Sequence, residues 1–187
     1  RFMRILAKLL FFIPDFMTRY TTVIKDNIYV PSNWKEKKPA VRSAIVAHEG
    51  VHIRDRRTLG TFLFSFLYLL PQSLSILAIL AVFGSPWWLL SLLFLLPMPS
   101  ISRTILEIRG YRMTMAVLLW TRGEGSINFQ QIEDPFVSSS YYYMMPIPKL
   151  VRWLIMREYR KIQQRELSNE LQYMREMIDT CLQSEDE

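Results

Sequence analysis

The chain is short of the residues that most often build metal and redox centres: of 187 residues, one is cysteine and two are histidine. The single cysteine, Cys181, excludes an internal disulfide, and its acidic surroundings near the C-terminal end suggest neither a nucleophile nor a thiolate ligand. Charge is missing over a long interval as well. Between Arg57 and Arg103 there is no Asp, Glu, Lys, Arg or His, and the interval is rich in Leu, Phe and Ile. A soluble core rarely needs so long a run without charge, whereas a bilayer span needs ~20 predominantly apolar residues. Acidic residues are in deficit, 17 against 23 basic, for a net charge of +6. No nucleic-acid-binding module accompanies that charge, so nucleic acid is set aside as a partner in favour of anionic lipid headgroups. Internal repeats, an initiator methionine and a recognisable cleavable signal peptide are also lacking.

Both histidines fall within one helical turn, in His48-Glu49-Gly50-Val51-His52. Residues four apart on a helix share a face at ~5–6 Å, so two imidazoles there can reach one Zn²⁺ at ~2.0–2.1 Å. The glutamate between them projects to the side of that face, where it can take a proton from a water that the metal activates. The bland alternatives are an exposed helical histidine pair or two satisfied core histidines. Pro39 suits a first helical turn, where its missing N–H has no partner to lose. Val41, Ala44, Ile45, Val46 and Ala47 follow, an apolar lead-in that reads as a helix buried on most sides. Arg54, Asp55, Arg56 and Arg57 then make a charged end, and Asp55 is placed to orient an imidazole.

The uncharged run reads as a helical hairpin over 59–101 that dips into or crosses the membrane. Leu59 to Phe83 is long enough for a span, with Pro71 kinking it, and Gly84-Ser85-Pro86 is the one strong turn signal. Trp87 to Ile101 is short and carries Pro97 and Pro99, as in an incomplete span whose helix resumes afterwards. A buried soluble helix pair is the competing reading. A hairpin returns the chain to the side it left, and both flanks are basic: Arg54, Arg56 and Arg57 before, Arg103, Arg109 and Arg112 after. The positive-inside rule puts such flanks in the cytoplasm, with Trp87 and Trp88 at an interface beside the turn.

A catalytic zinc needs three protein ligands and an open position for water. With no third histidine and no well-placed cysteine, the third ligand must be a carboxylate. The segment Ser102 to Met113 reads as a helix whose only acid is Glu107, returning beside the motif helix. Gly110, one turn on, would let another group approach closely. The alternative for Glu107 is an i−4 ion pair with Arg103.

This arrangement resembles the membrane gluzincins, in particular the HtpX and CAAX prenyl protease family, over roughly residues 20–120. Those enzymes place His-Glu-x-x-His on one helix, then a transmembrane hairpin, then a zinc-binding glutamate within a Glu-Phe/Tyr-x-Ala-Asp pattern. The corresponding residues here are Glu107-Ile108-Arg109-Gly110-Tyr111, and Tyr29-Val30-Pro31 looks like the strand before the catalytic helix. Gly110 stands in the alanine position and Tyr111 in the aspartate position, so the support that the family aspartate gives the histidines must pass elsewhere, with Asp55 the candidate. The beta-lactam-sensing membrane proteases share the same logic and are the close alternative relative.

Elsewhere, Tyr20 to Pro31 holds two β-prone pieces around an Asp26-Asn27 turn, read as an edge strand for substrate or a small packing hairpin. Residues 123–148, with their glycines, prolines and Tyr141-Tyr142-Tyr143, read as a long irregular loop whose tyrosines line the cleft or anchor at the interface. Lys149 to Leu182 reads as a surface helix, within a basic-to-acidic element over 149–183. Its apolar face is Val151, Leu154, Ile155 and Ile162, and it lies along headgroups or against a protein partner. The opening apolar stretch Phe2 to Ile13 reads as an interfacial helix, or as the tail of a longer hydrophobic segment if the chain is a fragment. The whole is therefore expected to be one domain, 1–187: mainly α, zincin-like, with a minimal gluzincin helical core, a transmembrane hairpin and a short β element before the active-site helix. The expected function is that of an integral membrane zinc metallopeptidase with its active site on the cytoplasmic side. In it His48, His52 and Glu107 hold Zn²⁺, Glu49 is the base, and membrane lipid and a peptide or protein substrate are the partners. The rival is a non-catalytic zincin scaffold acting in membrane assembly or interaction.

Overall fold

A computed structural model describes residues 21–24, 27–139, 142–164, 169 and 171–176. The expected interfacial helix at Phe2–Ile13, Asp26, Tyr141, Cys181 and the acidic end lie outside the described residues.

The chain is mainly helical. Strands β1 (Thr22–Ile24) and β2 (Asn27–Tyr29) pair antiparallel with Thr22 opposite Tyr29, Val23 opposite Ile28 and Ile24 opposite Asn27. Asn27 is thus a strand residue rather than part of the turn. Helix α1 (Pro39–Leu59) starts at its proline, as the sequence predicts. It is not buried on most sides, however. Its buried residues are Ala44, Ala47, Val51, His52 and Asp55, a single stripe, and Val46 is 44% exposed.

Helix α2 (Thr61–Tyr68) follows at once, and Gly60 between them has φ +79°, a left-handed conformation that costs glycine least. Two 3₁₀ helices, Gln72–Val82 and Pro86–Leu95, then pack on each other about the reversal at Gly84-Ser85-Pro86, with the Ser91 hydroxyl donating to the Ser75 carbonyl at 3.4 Å. The kink expected at Pro71 within Leu59–Phe83 is present, and it is sharp enough to divide the segment into two helices. The axis bends by 101° between α2 and the first 3₁₀ helix, across the break that contains Pro71. Among the described residues no single helix is long and apolar enough to cross a membrane, although that bent pair has the length and composition together.

Pro97 and Pro99 hold the chain extended after the hairpin, and Ser100 then caps helix α3 (Ile101–Arg122) by accepting the Arg103 N–H. This is the central helix. Leu106, Ile108, Met113, Met115, Ala116 and Val117 are all buried on it, around most of its circumference. Residues 123–148 are not the expected long loop. They contain helix α4 (Phe129–Val137), started by Asn128 accepting the Gln131 N–H at 3.2 Å. Pro135 sits inside it, and Phe136 is fully buried. Helix α5 (Pro148–Gln163) buries Val151, Ile155 and Ile162, with Leu154 packed at the edge. That apolar face packs on α3 and α4, so it is spent on the core rather than on lipid. The exposed side of α5 carries Arg152, Trp153, Arg157 and Arg160.

Candidate metal centre

α1 and α3 run antiparallel, and the contact register is set by small residues. Ala44 and Ala47 line the inner stripe of α1, and Gly110 faces it from α3. A methyl group at Gly110 would lie 2.6 Å from His48 Nε2 and 2.7 Å from its Cε1, far inside van der Waals contact. The close approach expected at Gly110 is therefore made by His48.

At that contact the structure brings together three of the four residues singled out in the sequence. His48 Nε2 lies 3.1 Å from His52 Nε2 and 3.4 Å from Glu107 Oε2, and His52 Nε2 lies 3.8 Å from Glu107 Oε1. One ligand atom from each falls within 4.8 Å of the others, and His52 and Glu107 are buried. Ligands at ~2.0–2.1 Å in tetrahedral array stand roughly 3.3 Å apart, close to the two distances from His48 Nε2, while His52 lies 3.8 Å from the other carboxylate oxygen; the group could hold a metal ion. The donor set, two imidazoles and one carboxylate, is one that a metal ion can use. The fourth residue, Glu49, follows His48 on α1 and interacts electrostatically with both His48 and Glu107.

Burial and charge tune these groups in opposite directions. Burial disfavours the imidazolium of His52 and lowers its pKa to about 4, with Glu107 opposing this; the ring is neutral near pH 7, the form that ligates metal. Burial also opposes ionisation of Glu107. A hydrogen bond and charge from His48, the charge of His52 and a hydrogen bond from Tyr68 outweigh it and hold the carboxylate down at about 2. Glu49 is raised to about 7, chiefly by burial, with His48 opposing and Glu107 adding to the rise.

The side chains behind the cluster are not those the sequence suggested. Asp55 does not orient an imidazole: its Oδ1 pairs with Arg109 Nη2 at 2.8 Å, tying α1 to α3 beside the cluster. His48 Nδ1 lies 3.3 Å from Thr114 Oγ1, which is itself 3.4 Å from the Gly110 carbonyl. A proton on Nδ1, donated to Thr114 with the hydroxyl donating in turn to the Gly110 carbonyl, would leave Nε2 free for a metal in place of its hydrogen bond to Glu107. Thr114 is seven residues from Glu107 on α3, two turns along the same face, which is the one signal that could have found it. His52 Nδ1 is buried with no hydrogen-bond partner among the described residues, at a cost of about 1–3 kcal/mol. Tyr111 meets the His48 ring edge-on, with ring centroids 4.8 Å apart.

Of the loop tyrosines, Tyr141 lies outside the described residues, and Tyr142 makes its hydrogen bond away from this site, donating to the Leu95 carbonyl at the end of the hairpin. Besides Tyr111, the tyrosine that reaches the site is Tyr68, which closes α2 and donates to Glu107 Oε1. Nothing in the local sequence marks Tyr68, because its approach depends on the chain reversal at Gly60.

No protein-family model, curated protein or solved structure matches the chain. Function therefore rests on this geometry alone.

Proposed function

We propose that the chain is a membrane-associated zinc metallopeptidase in which His48, His52 and Glu107 hold the metal and Glu49 is the general base. The observation that carries this reading is the convergence of three ligand atoms, at zinc-like spacing, from two helices separated in sequence by an uncharged run. Zinc in such a site supplies Lewis-acid polarisation of a carbonyl and lowers the pKa of a water toward ~7. The protein's part is to hold and move protons. A carboxyl tuned to about 7 is half-ionised at neutral pH, so Glu49 can take the proton of the attacking water and return it to the leaving amine. Thr114 accepts from Nδ1 in the tautomer that leaves His48 Nε2 unprotonated for the metal, and burial keeps His52 neutral.

Membrane association is supported by the hairpin's surface. Val82, Phe83 and Trp87 are 80%, 83% and 76% exposed, and Leu89, Leu90, Leu93 and Leu96 are exposed with them. Monomeric soluble proteins rarely expose contiguous apolar patches of this kind. At ~2.0 Å rise per residue the longer 3₁₀ arm, of 11 residues, reaches about 22 Å, short of a ~30 Å hydrocarbon core. The arms therefore favour a re-entrant hairpin over a complete crossing. Of the basic flank, Arg109 and Arg112 pair with Asp55 and Glu158, at 2.8 and 3.8 Å, while Arg54 and Arg57 stay exposed on the active-site side proposed as cytoplasmic.

Peptide hydrolysis by purified protein, compared with Glu49→Gln at equal zinc content, tests the enzymatic reading. Hydrolysis by wild type alone supports it. Zinc binding without hydrolysis by either form turns the reading to a structural scaffold.

A further inference from the structure

The two oxygens of the Glu107 carboxylate are not equivalent. Oε2 faces His48 Nε2 at 3.4 Å, and Oε1, 3.8 Å from His52 Nε2, also accepts the hydrogen bond of Tyr68. The phenol is held on several sides. Its ring meets His52 edge-on at 6.0 Å, stacks on Phe64 at 5.7 Å and lies beneath the Arg103 guanidinium at 4.8 Å. The Ser102 hydroxyl donates to the Leu67 carbonyl at 2.6 Å, pinning the end of α2 to the start of α3. Tyr68 therefore reaches Glu107 from a third helix, one that belongs to neither histidine nor carboxylate.

We propose that Tyr68 is a positioning residue of the metal centre: by occupying Oε1 it restricts Glu107 to ligation through Oε2 alone and so preserves an open position for water. The proposal rests on the reading that the cluster holds zinc. A glutamate free of such a bond can turn both oxygens to a cation, and a two-oxygen ligand would fill the place that a catalytic site leaves open. The phenol has one proton and gives it to Glu107, so it is committed to the ligand rather than to a reacting carbonyl. Partners that orient a ligand in this way typically carry 10–100-fold in metal affinity or activity.

The test uses the full chain in detergent micelles, with zinc affinity measured by competition against a chromophoric chelator and coordination read from the absorption of the cobalt-substituted protein. Tyr68→Phe is expected to bind zinc about 10–100-fold more weakly and to show weakened cobalt bands as a second carboxylate oxygen joins. Phe129→Leu, which thins the aromatic pair with Tyr159 away from the cluster, is expected to keep wild-type affinity and spectrum. Equal affinity and spectrum in Tyr68→Phe would overturn the proposal, and so would an equal loss in Phe129→Leu. The infrared carboxylate bands of zinc-loaded wild type, assigned by difference from Glu107→Gln, need no change at Tyr68. A wide splitting supports one-oxygen ligation and a narrow one overturns it. Wild type that binds no zinc removes the metal reading itself, and a wild type that binds it with an unchanged Tyr68→Phe removes only the role of Tyr68.

Discussion

The metal-centre end of the molecule and the hairpin end invert each other. Around His48, His52 and Glu107 the buried groups are polar and ionisable, clamped between α-helices and tied by Thr114 and Tyr68. Over 72–95 most residues are apolar and half-buried to exposed, on two 3₁₀ helices that pack chiefly on each other. Buried polar groups cost free energy unless paired, as these are, and large exposed apolar patches favour association. In the proposed reading the two ends meet different demands: a binding site for a cation at one and apolar surroundings at the other.

The sharpest way to break the comparison is at Glu49. Glu49→Gln keeps the shape of the site but cannot accept a proton at neutral pH, so peptide hydrolysis is expected to fall by about 10²–10⁴-fold with zinc content unchanged. A variant that cleaves as fast as wild type would leave the polar end without its catalytic role.

Next in size is a contrast between apolar residues. Phe136→Ala, in the core beneath Tyr111, is expected to cost about 3–5 kcal/mol in denaturant unfolding. Phe83→Glu with Trp87→Glu, at the hairpin tip, is expected to change stability in micelles by no more than about 0.5 kcal/mol per site. The same pair should abolish flotation with anionic vesicles. Equal destabilisation by both changes would mean that the hairpin tip is part of the folded core.

The hairpin arms make a further distinction. A cysteine placed at Ser85, after replacement of Cys181, should resist a membrane-impermeant thiol reagent from outside intact cells if the hairpin is re-entrant. Labelling from outside would mean that it crosses fully.

At Gly110 the added methyl of an alanine would meet His48 Nε2, and the ring must leave its place. Gly110→Ala is therefore expected to weaken zinc binding by at least the ~10–100-fold that loss of a supporting partner brings. The smallest effect is on acid stability of the metal-free protein. His52 has a lowered pKa, about 4 in place of 6.5, so the unfolded chain takes up the proton first and stability falls as pH drops from 6.5 toward 4. Glu49 has a raised pKa, about 7 in place of 4.5, so its contribution is fully present below 4.5 and is lost as pH rises toward 7. The two oppose each other between 4.5 and 6.5. Removing one of them in Glu49→Gln should steepen the rise of stability with pH across that window, as read by thermal melts.

What the sequence disclosed is what local spacing controls. The i, i+4 histidines, the proline that opens α1, the lone acid Glu107, the glycine beside it and the reversal at Gly84-Ser85-Pro86 are each legible from neighbours on one element. What it hid depends on contacts between elements or on competition within one. Tyr68 reaches Glu107 only because Gly60 redirects the chain and Ser102 pins α2. Asp55 looked like a partner for histidine, but a guanidinium offered by α3 takes it. Helix α4 was concealed by glycine, proline and serine around it, although burial of Ile132 and Phe136 outweighs the hydrogen bond that Pro135 forgoes. The face of α5 was visible, but not that the core rather than a membrane would cover it.

The central claim is that His48, His52 and Glu107 together form one metal site. Metal quantification on purified chain, wild type beside His52→Ala and Glu107→Ala, addresses it most directly. The account predicts one zinc per wild-type chain and loss of it in both variants, with folding retained by circular dichroism. Wild type without zinc, or full zinc retained in either folded variant, would contradict it.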